Sequence, residues 1–134
     1  MLFRSYRVIS IEGDQKVRVE SRFITSIASK KEGFEKYTYD YIYNGTLGMV
    51  EKALRKYRVS GKDIEAVAPD ITRAYVAHLR GDEKKPDRPI TADSLGLMGR
   101  VAMKFQGKLI EGWNTDLPPA DNSIVIDLKT GEWR

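Results

Sequence analysis

The sequence predicts an α+β fold: an antiparallel sheet of about four strands, an N-terminal meander plus a C-terminal strand, with two to four helices packed on one face. Three observations carry that expectation. Residues 3–24 are rich in β-branched and aromatic side chains and alternate apolar with polar. From residue 46 onward, apolar side chains recur every three or four positions, the spacing of amphipathic helices. Close to the end, residues 123–128 form a nearly continuous apolar, β-branched run. Strands first, helices next and a closing strand give α+β, not the alternation of an α/β sheet.

Taken in order, residues 3–11 and 16–24 make a β-hairpin about a turn at 12–15, where Gly13 is free to take positive φ. Val17, Val19 and Phe23 face one way, and Lys16, Arg18, Glu20 and Arg22 the other, the signature of a sheet with one wet face. Residues 37–44, reading YTYDYIYN, place tyrosines at 37, 39, 41 and 43. In a strand that period of two lines all four phenols on one face, so the run reads as a third strand. Thr46 then caps a helix whose stripe is Leu47, Val50, Leu54 and Tyr57. Ser60 and Asp63 have the spacing of a capping box for a short helix over 63–67. Pro69 suits the first turn of a new helix over 69–80 that ends at Gly81.

The charged segment 81–89, with two prolines, predicts an irregular, mobile loop. Residues 91–94 start a further helix with apolar positions at Leu95, Met98, Ala102 and Phe105. Past Gln106 a helix and a hairpin fit equally well, because Gly96, Gly99 and Gly107 each cost a helix interior about 1 kcal/mol relative to alanine. Residues 114–122 read as an irregular crossing. The run at 123–128 reads as a strand buried on both faces and interior to the sheet, with 132–134 pairing back.

All 134 residues fit one domain, long enough to bury a core without cross-links. The absence of cysteine excludes disulfides and thiolate chemistry. No secretory signal or spanning segment is visible, so a cytoplasmic protein without a membrane partner is expected. Five Asn and Gln residues against plentiful Lys, Glu, Arg and Asp resemble a thermophilic composition. The net charge of +4 is uneven: residues 1–60 hold 12 Lys/Arg against 7 Asp/Glu. That asymmetry points to an anionic partner.

Candidate ligand-binding residues follow from this. Tyr37, Tyr39, Tyr41 and Tyr43 would form either a core face with polar tips, a stacking platform for bases, or a homodimer interface. Lys16, Arg18 and Arg22, with Arg4 or Arg7 from the partner strand, would track phosphates or simply solvate a face. The lone histidine, His78, cannot by itself build a common zinc site, and no metal or cofactor is expected. Asp82, Glu83, Asp116 and Asp121 are loop carboxylates with no fixed separation. The functional reading is a small binding or assembly protein, homo-oligomeric, taking an anionic ligand or nucleic acid through a basic, tyrosine-rich sheet. The alternative is a small enzyme with a pocket near Asp40, His78 and a tyrosine hydroxyl.

Overall fold

The computed structural model describes residues 5–13, 15–83, 92–115 and 122–133. It is α+β, with a three-stranded antiparallel sheet and three α-helices. In chain order the elements are β1 (Ser5–Glu12), β2 (Lys16–Phe23), α1 (Phe34–Lys56), α2 (Gly61–Arg80), a single 3-10 turn (Ala92–Ser94), α3 (Leu97–Trp113) and β3 (Ser123–Asp127).

The β1–β2 hairpin forms as the alternation predicts, in register from Ser5 opposite Phe23 to Glu12 opposite Lys16, with Gly13 at φ 65° in the turn. β3 pairs antiparallel with β2, from Lys16 opposite Asp127 to Glu20 opposite Ser123. The strand order is therefore β1-β2-β3. This corrects the interior position expected for residues 123–128: β3 lies at an edge, its residues after Ser123 half-buried, and Trp133 bridges back to Ile126. The apolar run reflects pairing with Val17 and Val19 on one face and not burial on two.

The largest correction is at the tyrosines. Residues 37–44 are not a strand; they lie within the 23-residue helix α1. Phe34, Thr38, Ile42, Thr46, Val50 and Leu54 follow one another at four-residue spacing, and each is buried or half-buried. That inclined row is the side of a helix. The four tyrosines occupy the positions between, so their strict period of two is helical spacing read every other residue. α1 begins at Gly33, whose φ of 66° turns the chain into the helix.

α2 is one continuous helix, not two. Ser60 caps it as the spacing predicts, accepting the Asp63 N–H at 3.2 Å. Pro69 sits inside, where it supplies no N–H to the Glu65 carbonyl. Burial offsets that loss: Ile64, Val67, Ala68, Ile71, Thr72, Ala74 and Val76 are all buried, because α2 packs against α1 on one side and α3 on the other. The Thr72 hydroxyl also donates to the Ala68 carbonyl at 2.7 Å. Gly81, at φ 65°, closes α2 as expected.

α3 runs unbroken to Trp113, which settles the choice between helix and hairpin after Gln106. The segments 84–89 and 116–121, expected as loops, lie outside the described residues.

The helices pack on one another. The buried cluster joins Leu54, Val59, Ile64, Val67, Ala68, Ile71, Ala74, Leu95, Ala102, Met103 and Ile110, all from helices and their connections. Among the described residues no strand position is fully buried. The sheet is tied to the helical layer at one corner. There the Asn122 side-chain amide donates to the Arg80 and Gly81 carbonyls, at 2.9 and 2.8 Å, while the Asn122 backbone carbonyl accepts the Ser21 N–H at 2.8 Å. The Arg80 guanidinium lies 5.4 Å from the centre of the Phe23 ring and pairs with Glu35 and Asp82.

Candidate binding surface

The hairpin register sorts the sheet into two unlike faces, since directly paired residues share a face. One face carries Tyr6, Val8, Ser10 and Glu12 from β1, Lys16, Arg18, Glu20 and Arg22 from β2, and Ser123, Val125 and Asp127 from β3. The other carries Ile9 beside Val19 beside Ile124, and Ile11 beside Val17 beside Ile126. Trp133 forms an isolated bridge to Ile126 at the β3 edge. Arg7 is the one charged residue among the paired positions of this apolar face. Ile9 is 68% exposed, Ile11 79% and Trp133 61%.

Two strands of eight residues and one of five present a face of roughly 350 Å², of which the two apolar rows take up about half. The face was legible in part: the sequence gives the inward set of β2 but not whether helices cover it.

The charged face is close to neutral. Arg18 pairs with Glu12, which raises its pKa through that hydrogen bond and the attached charge, and Arg22 lies 3.6 Å from Glu20. Two of the cations expected to track phosphates are therefore each matched by a carboxylate on their own face. At one end of this face Lys16, Val125, Asp127 and residues 130–133 line an open cleft of about 630 Å³. The Asp127 carboxylate accepts the N–H groups of Lys129 and Thr130, at 2.9 and 3.1 Å, and these bonds hold its pKa below the ordinary carboxylate value.

The helix separates the four tyrosines into two pairs. Tyr39 and Tyr43 are half-buried and stacked, with ring centres 5.9 Å apart and planes 18° apart. Tyr37 and Tyr41 stand exposed along another line of α1, and the Lys30 ammonium lies 4.5 Å from the centre of the Tyr37 ring. They do not make a single face, and they lie on a helix, whereas Arg18 and Arg22 lie on β2.

The residues of the enzyme alternative have other partners. Asp40 pairs with Lys36 at 2.6 Å. His78 Nδ1 lies 2.8 Å from Glu83 Oε1, with its ring stacked 6.4 Å from Trp113. Among the described residues no hydrogen bond or ion pair joins Asp40 to His78, and no group of three or more His, Asp or Glu is arranged to hold a metal ion. Asp116 and Asp121 lie outside the described residues.

No protein-family model, curated protein or solved structure matches this chain.

Proposed function

We propose that this protein is a binding and assembly protein that self-associates through the apolar face of its sheet. The observation that supports the reading is the exposure of Ile9 and Ile11 beside Val17, Val19, Ile124 and Ile126, on a face with Arg7 as its one charge. An interface core is depleted of charge in this way. A second copy brings an identical face about a two-fold axis, and two such sheets stack about 10 Å apart as in a β-sandwich. The face is less than half of the roughly 800 Å² per partner that a stable complex buries, so association is expected to be modest.

Light scattering across a concentration series tests this. The wild-type mass rises toward twice 15.3 kDa, and the Ile11→Glu variant stays at 15.3 kDa with an unchanged circular dichroism spectrum. A wild-type mass fixed at 15.3 kDa throughout removes the reading.

A further inference from the structure

The outward side of α3 repeats, on a helix, the problem the sheet presents. Gly99, Ala102, Met103 and Ile110 are buried, and half-buried Trp113 lies 4.8 Å from the Tyr75 ring, which fixes the inner side of the helix. At about 100° per residue, Leu97, Val101, Phe105 and Leu109 fall along a neighbouring line, with Met98 beside them. All five are exposed: Leu97 by 69% and Phe105 by 78%, with Met98, Val101 and Leu109 less so. Bordering this stripe, also at four-residue spacing, run Arg100, Lys104 and Lys108. Glu111 is the single acidic residue of the helix.

Among the described residues no helix is long and apolar enough to cross a membrane. A helix that lies on a membrane has different requirements: Leu and Phe on one side, Lys and Arg next to them, and no need for length. We infer that α3 is a peripheral docking surface for an anionic lipid bilayer, its apolar stripe entering the headgroup boundary and Arg100, Lys104 and Lys108 contacting acidic headgroups.

Charge selects this occupant. The basic row asks for a negatively charged partner, and an antiparallel two-fold pairing of α3 with its own copy would set the three cations against three more. The aliphatic stems of the lysines add to the apolar contact while their ammonium groups stay at the headgroups. This inference uses α3 alone and is independent of self-association through the sheet.

Vesicle co-sedimentation of the full chain tests it. Binding is expected to phosphatidylcholine vesicles containing phosphatidylglycerol, and to be at least about tenfold weaker to phosphatidylcholine alone, since each basic side chain adds to attraction by an anionic surface. Raising the salt concentration weakens it. Phe105→Glu and the double variant Lys104→Glu/Lys108→Glu each reduce partitioning at least about tenfold, with thermal unfolding confirming that they fold. Leu97→Ser, at the far end of the stripe, gives a smaller loss and serves if Phe105→Glu does not fold. Absence of binding to the anionic vesicles overturns the inference, as does binding that Phe105→Glu and Leu97→Ser leave unchanged. Capture of an acidic amphipathic peptide with no vesicle binding overturns it in favour of a protein partner.

Discussion

The carboxylate of Asp63, in the first turn of α2, accepts the N–H of Gly96 at the start of α3, at 3.3 Å through Oδ1 and 3.1 Å through Oδ2. Gly96 has no side chain with which to cap its own helix, so α2 supplies the cap for α3. Asp63 is itself buried, and its own N–H is held by Ser60. One carboxylate thus locks two helices at their N-terminal ends, where the helix dipoles favour negative charge.

Replacing Asp63 by alanine removes this lock and leaves the Gly96 N–H without its acceptor. The expected cost is about 2 kcal/mol, the scale of a charge-assisted hydrogen bond, read as a drop of several degrees in Tm. Asp63→Asn, which keeps an acceptor oxygen, should lose less. Equal melting of wild type and Asp63→Ala would show that the cap carries no stability.

The same carboxylate gives two glycines of α3 opposite responses to alanine. A Cβ at Gly99 would lie 3.0 Å from Asp63 Oδ2 and 3.0 Å from Leu95 Cβ, whereas one at Gly107 meets nothing within 4 Å. Helix propensity alone favours alanine at both by about 1 kcal/mol. Gly107→Ala should therefore stabilise by roughly 0.5–1 kcal/mol, and Gly99→Ala should lower Tm despite its better propensity. Thermal unfolding of the two variants side by side checks the contrast.

The tyrosine pairs on α1 should also separate. Tyr39 is half-buried and stacked on Tyr43, so Tyr39→Ala is expected to cost about 1 kcal/mol or more. Tyr41 is 62% exposed, and Tyr41→Ala should stay within about 0.5 kcal/mol of wild type. A strand with all four rings on one face would instead give similar costs at both positions. Urea denaturation of the two variants distinguishes these outcomes.

Asp127 sets a pH dependence. Its pKa is lowered chiefly by the Lys129 N–H, then by the Thr130 N–H, with Lys16 adding to the effect. A carboxyl group whose folded pKa is depressed stabilises the fold fully above its unfolded value of about 3.9. That contribution is lost as pH falls through the lower folded value. The Tm difference between wild type and Asp127→Ala should therefore be constant near neutrality and shrink below about pH 4. A difference that widens on acidification would contradict the assignment.

The sequence by itself determined the hairpin, both ends of α2 and the presence of a closing strand. Each is settled by neighbours a few residues apart: the alternation of residues 16–23, Ser60 accepting from Asp63, Gly81 turning with positive φ. Only the tertiary structure decided the N-terminal half of α1, the unbroken α2 and the position of β3. Tyrosines two apart satisfy a strand face and, equally, two i,i+4 helical pairs, and it was the packing of Phe34, Thr46 and Leu54 that chose the helix. Pro69 is tolerated inside α2 because two other helices bury the residues around it. The sheet faces were readable from the period of two, but what covers them was not, because that depends on contacts between distant segments. In this protein the helices bury one another and leave Ile9 and Ile11 exposed, so burial, more than pattern, locates the exposed apolar surface.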